Sequence, residues 1–205
     1  MINCANLSKI VYGISIISII YPLYLSSQND SIERKSNLSV TIGYPIPASG
    51  ITFKNTYHGI FDSQIGYNII KKHLSFGINA EYSYFKISRH ILDLTGSMQV
   101  ISPGFSLGYN FKASEKLSIQ PLLKCGYDFV IFNGKDVNGN SRSSFNESGI
   151  SLTPMISVNY FYTKRFGTGI YGSYKVILQH FGNNAVLEEN TIRIMNLGIC
   201  ILYKL

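Results

Sequence analysis

Ile101-Ser102-Pro103-Gly104-Phe105-Ser106-Leu107-Gly108-Tyr109-Asn110-Phe111 sets large apolar side chains against Ser, Gly and Asn at every second place. Successive side chains of a β-strand point to opposite faces, so a period of two marks a strand with one greasy face and one face of small polar groups. Leu74, Phe76, Ile78, Ala80, Tyr82 and Tyr84 repeat the pattern against Ser75, Gly77, Asn79, Glu81 and Ser83. Working outward in both directions gives strands at 37–45, 58–69, 74–87, 98–111, 117–131, 149–162, 166–178 and 191–204. The fold expected is all-β: an eight-stranded antiparallel up-and-down transmembrane β-barrel.

The connections alternate in length. Residues 68–73, 112–116 and 163–165 form short charged turns, and residues 45–57, 88–97, 132–148 and 179–190 form long polar loops. Membrane barrels of the bacterial outer membrane have this asymmetry, with short periplasmic turns and longer external loops. Both termini then lie in the periplasm and every long loop at the outer end.

Periodicity alone does not say which face points out. A soluble lipocalin-like carrier also has eight strands, with its apolar face inside. The composition of the polar face decides. It carries Ser39, Thr41, Gly43, Gln64, Gly66, Asn68, Ser118, Gln120, Ser151, Thr153, Ser157 and Ser173, which are too small and too uncharged for a water-washed exterior. They suit the crowded inside of a narrow barrel. The charges on that face, Asp62, Glu81, Lys124, Asp128 and Lys175, have mixed signs. They are expected to pair internally, because an unpaired buried charge is costly. The apolar face carries Tyr44, Tyr67, Tyr109, Phe111, Tyr127, Phe129, Tyr160, Tyr162 and Tyr203 near strand ends, as two aromatic girdles at the membrane interfaces would.

Composition agrees. Of 205 residues only 14% are charged, against roughly 25% in soluble domains. The net charge is +7, with cations scattered mostly at turns (Lys71, Lys72, Arg89, Lys112, Lys116, Lys164, Arg165), where lipid headgroups would suit them. A nucleic-acid binder would gather them on one face with aromatics between, so no nucleic acid is expected. Cys125 falls with the apolar set and Cys200 with the polar set, so the two are not expected to pair; both read as small buried residues. Residues 1–27 read as a cleavable signal peptide: Lys9, an uncharged run from Ile10 to Leu25, then small residues before a cleavage point near Gln28. Residues 28–205 are the barrel domain. Three prolines resist the scheme. Pro103 and Pro154 are expected near the outer rim and Pro121 at a bulge, since each removes a ladder hydrogen bond. Arg193, on the apolar parity, is expected to snorkel to the rim.

The last strand carries a more specific signal. Asn196, Gly198, Ile201 and Tyr203 look like the C-terminal assembly signal of outer-membrane barrels, here followed by Lys204 and Leu205. With the leader and the eight strands, the chain resembles the small OmpA/OmpX-like outer-membrane β-barrel family. The resemblance implies outer-membrane lipids and the barrel-assembly machinery as partners, and a monomer is expected; no separate peptidoglycan-binding domain is expected, since the sequence ends with the barrel.

Chemistry-bearing motifs are weak. His180-Phe-Gly182 faintly resembles the lipid A deacylases, whose catalytic His is followed two residues later by a nucleophilic Ser. Gly182 stands at that place, and an acyl transfer needs the hydroxyl; Glu188 or Glu189 would orient the His. His73-Leu-Ser75 has the spacing but lies at a short turn. Asp136, Asn138, Asn140 and Glu147 mimic a calcium loop, yet Ser141 replaces its required Gly and no helices flank it. Gly167, Gly169 and Gly172 spell a dinucleotide fingerprint inside a strand, with no helix to follow. No catalytic, metal or cofactor site is expected. The expected role is structural or interactive, through external loops that meet a surface ligand or host partner. A narrow pore, a lipid A-modifying acyl hydrolase and a soluble lipocalin-like carrier are the alternatives.

Overall fold

A computed structural model describes residues 34–48, 51–87, 94–136, 141–179 and 191–205. The leader, Arg89, His90 and the stretch from His180 to Asn190 lie outside the described residues. The strands are β1 (Arg34–Pro47), β2 (Tyr57–Lys71), β3 (Leu74–Ile87), β4 (Leu94–Tyr109, resuming at Phe111–Lys112), β5 (Leu117–Asp136), β6 (Ser141–Phe161), β7 (Phe166–Gln179) and β8 (Thr191–Lys204). One short helix, α1 (Ile51–Thr56), precedes β2. Each strand pairs antiparallel with the next, and β8 returns to β1 from Asn37↔Lys204 to Pro47↔Ile194. The sheet is thereby closed and leaves no edge in the wall.

Alternation sorts the side chains as the sequence reading requires. Phe105 is 71% exposed, Ile150 and Ile170 65% each, and Phe76 and Ile156 also point outward, while Thr41, Gln64, Thr153, Ser157 and Ser173 are buried inside. This is the inverse of a lipocalin, whose apolar face would be the inner one. Aromatic rings gather in two belts on the outside. Tyr109–Phe111 (centroids 4.4 Å apart) and Tyr160–Tyr162 (5.3 Å) lie toward the short turns. Phe61–Tyr82 (5.5 Å) and Tyr127–Phe129 (5.1 Å) lie toward the opposite end. Offset and edge contacts of this kind add to the area the rings bury.

The turns are built locally. Lys72 and His73 join β2 to β3, with Lys72 at φ 58°. After β4 the Ser114 hydroxyl accepts the backbone N–H groups of Lys116 (3.3 Å) and Leu117 (3.0 Å). After β6 the Thr163 hydroxyl accepts those of Arg165 (3.2 Å) and Phe166 (2.9 Å). Such hydroxyls stand in for a backbone acceptor in tight turns.

Several expectations need correction. The strands are longer than read at the outer end. β5 and β6 continue as a hairpin through Phe132↔Phe145 and Gly134↔Ser143, so most of the third long loop, including Asn133-Gly134, is strand. Pro103 and Pro154 do not lie at the rim, and Pro121 makes no bulge. The β4–β5 register steps from Ile101↔Phe129 to Gly104↔Gly126 at Pro103, and from Gly108↔Leu122 to Phe111↔Ile119 at Pro121. The β6–β7 register steps from Leu152↔Val176 to Met155↔Ser173 at Pro154. Each step consumes equal lengths of both strands, so register survives and only the local ladder is missing. On its other side each proline stays paired: Pro103 to Ala80, Pro121 to Ile156, Pro154 to Leu123. A proline lacks a donor on one side only, and a closed barrel tolerates that gap when the opposite neighbour holds. Cys125 is exposed on the outer wall rather than buried, while Cys200 is buried inside. Arg193 is exposed, three residues into β8.

Candidate functional site

The inside of the barrel is layered. At its centre the wall brings the five inward charges together. Lys175 lies between two carboxylates, with its Nζ 2.5 Å from Glu81 Oε1 and 3.3 Å from Asp128 Oδ1. The same ammonium donates to Ser102 Oγ at 2.8 Å, and Ser102 donates in turn to Asp128. Lys124 donates to Glu81 Oε2 at 3.0 Å and to Gln64 Oε1 at 2.6 Å. Asp62 takes hydroxyl donors, Ser83 at 2.6 Å and Tyr171 at 3.1 Å. Asp128 is fully buried and Lys175 only 1% exposed. Bare charges at such depth cost several kcal/mol each, and the ion pairs with their added hydrogen bonds offset that cost.

The register explains how Tyr171 reaches Asp62 from three strands away. Tyr171 pairs with Gly198, Gly198 with Gly43, and Gly43 with Asp62. The Tyr171 ring therefore crosses two glycines that present no side chain. A Cβ at Gly198 would lie 2.8 Å from Tyr171 Cε1, 2.5 Å from Gly43 Cα and against the Ile42 carbonyl. This gives Gly198 a packing role on the seam that closes the barrel. Its companions divide by parity: Asn196 is buried inside, while Ile201 and Tyr203 are each 40% exposed on the outer wall.

Above the charges sits an apolar plug that the sequence reading missed. Phe85, Met98, Val100, Val130, Ile177, Ile192 and Ile194 point inward and form one cluster, with Phe53, Tyr57 and Phe132 packed against it. The Phe53 ring of α1 stands 5.7 Å from that of Phe85, so the short helix lies on the plug. A signal for it exists in the sequence. Alternation fails near the outer strand ends, where Val130-Ile131-Phe132 and Val176-Ile177-Leu178 are apolar on both parities.

Below the charges lies a polar layer. Ser106 donates to Asn68 (3.0 Å), Gln120 to Ser75 (3.2 Å), and Cys200 to Asn159 (2.9 Å). A cavity of about 20 Å³ here has room for a single water. Met155, Phe161, Tyr171, Cys200 and Leu202 fill the base.

Among the described residues the weak motifs do not come together. His73 is exposed at its turn, its Nδ1 3.3 Å from the Asn110 carbonyl oxygen, whereas Ser75 points inside the barrel. His180, Gly182, Glu188 and Glu189 lie outside the described residues. Asp136 and Glu147 stand on β5 and β6, and Asn138 and Asn140 are outside the described residues. Gly167, Gly169 and Gly172 are all in β7. Among the described residues no three His, Cys, Asp or Glu side chains are grouped to hold a metal ion.

Solved structures share the architecture. Neisserial surface protein A (NspA) superposes with a TM-score of 0.54 at 16% identity, over 86% of this chain and 100% of that one. Ail, the attachment invasion locus protein of Yersinia pestis, gives 0.50 at 14% identity, over 84% and 99%. A major outer membrane protein from Thermus thermophilus gives 0.61 at 8% identity, over 84% and 99%. No protein-family model matches the chain, and no curated protein does. At such identities the likeness is one of fold: the eight-stranded barrel of small OmpA/Ail/OmpX-like outer-membrane proteins.

Proposed function

We propose that the chain is an integral outer-membrane protein that conducts no solute and works through its external end. The observation that carries this reading is the pairing of an apolar outer wall with a filled interior. Residues such as Phe105, Ile156 and Ile170 stand where hydrocarbon would be. Inside, the plug, the ion pairs and the apolar base pack the described interior, and the cavity below the charges has room for one water. What remains accessible for recognition is the outer end, where the β5–β6 hairpin extends past the aromatic belt. The strand β8 pattern supports recognition by barrel-assembly machinery during insertion, with Ile201 and Tyr203 on the outer wall as the readable surface.

The test has two arms. Membrane fractionation with heat-modifiable gel mobility should place the folded chain in the outer membrane and shift its band on boiling. A chain that stays in solution without detergent would defeat the reading. Planar-bilayer recording of the reconstituted chain should show no stepwise conductance above background, and regular open-channel steps would favour the narrow-pore alternative instead.

A further inference from the structure

We propose that the short-turn rim of the barrel is a docking surface for the phosphate headgroups of anionic phospholipids. This rests on the reading of the chain as a membrane barrel and adds a ligand class and a side to it. The three turns at this end carry Lys71 and Lys72, Lys112 and Lys116, and Lys164 and Arg165, all exposed. The strand ends add Lys35 and Lys204. Together these are eight of the chain's 18 Lys and Arg, so cations that look scattered along the sequence are gathered by the fold. Among the described residues Glu115 is the carboxylate side chain that answers them there. Among the described side chains the opposite end is mixed in sign, with Lys54, Lys86, Arg193 and Glu147.

Two further observations point to an anion. The β1–β2 register sets Lys35 opposite Ile70, one place from Lys71, and the β1–β8 register sets Asn37, two places from Lys35, opposite Lys204. Like charges placed across a strand pair destabilise it, and an intervening phosphate turns that repulsion into attraction. The rim also adjoins the belt of Tyr109, Phe111, Tyr160 and Tyr162. Rings of this kind settle at the headgroup level, which puts the cations at the depth of lipid phosphates. The charges run around the barrel mouth, turn after turn, and do not line one strip. That distribution fits many small headgroups and not a single linear polyanion.

The test reconstitutes the full chain in equal phosphatidylglycerol and phosphatidylcholine, extracts it gently and counts retained lipids by native mass spectrometry. Phosphatidylglycerol should be retained several-fold over phosphatidylcholine, and the ratio should fall toward one in high salt. The quadruple variant K71Q/K72Q/K164Q/R165Q should lose at least half of the enrichment, and K54Q/K86Q at the other end should keep it. Band mobility on boiling reports folding separately, so a failed barrel is not mistaken for a failed lipid site. Should the quadruple variant not fold, the salt response of the unaltered chain decides. Equal retention of both lipids, a ratio indifferent to salt, or an unchanged ratio in the folded quadruple variant would overturn the proposal. So would preferential capture of added soluble polyphosphate, which would make the rim a polymer site.

Discussion

Lys175→Met is expected to destabilise the folded barrel by about 3–5 kcal/mol, the usual cost of removing one partner from a buried ion pair. The size follows from what it leaves behind. Lys175 is shared by Glu81 and Asp128, and both carboxylates are buried away from water. Without the ammonium, Asp128 keeps the Ser102 hydroxyl and Glu81 keeps Lys124. Met fills a similar volume, so the loss is electrostatic rather than a cavity effect. Adding Asp128→Asn to Lys175→Met should recover a substantial part of the deficit, because the pair is coupled and the uncompensated charge is gone. Urea unfolding in lipid vesicles, followed by loss of the fast-migrating unboiled band, reads both variants. A single variant within about 1 kcal/mol of the parent would mean that the cluster is hydrated or rearranged.

Gly198→Ala is expected to cost about 1–3 kcal/mol, at the upper end of that range, and to slow barrel closure. The methyl group would meet the backbone of the neighbouring strand, at Gly43 Cα and the Ile42 carbonyl, as well as the Tyr171 ring. A flexible side chain can turn aside, but the wall of a closed barrel cannot move without straining its pairing all round. Because β1 and β8 are the first and last strands, the collision sits on the seam that completes the barrel. Tyr171→Ser removes the ring but not the backbone contacts, so it should rescue Gly198→Ala only in part. The same urea series measures both. Full rescue would show that the ring alone sets the requirement for glycine.

The wall is legible in the sequence and the stack inside it is not. Phe105, Leu107 and Tyr109 against Ser106 and Gly108 need only the period of two, which is a property of one strand. The five inward charges are legible as a set for the same reason. Which of them meet is not, because Lys175 on β7 reaches Glu81 on β3 only through the tilt and register of the whole barrel. Tyr171 shows the same limit. Its contact with Asp62 depends on Gly43 and Gly198 falling in one row, and no local pattern announces that alignment. Strand ends read short from sequence because polar loop composition argues against pairing, yet Asn133, Ser143 and Ser144 continue the β5–β6 ladder. Hairpins that rise beyond a membrane face water on both sides, so their strands lose the apolar alternation that betrays the others.

The orientation of the wall can be read directly, because the chain has no tryptophan and a single introduced one reports alone. A single Phe105→Trp variant, folded into vesicles whose acyl chains carry bromine, should be strongly quenched, because that side chain points out from the wall. A Phe85→Trp variant, placed in the inner plug, should stay bright in the same vesicles. Bright Phe105→Trp emission with quenched Phe85→Trp emission would contradict the account.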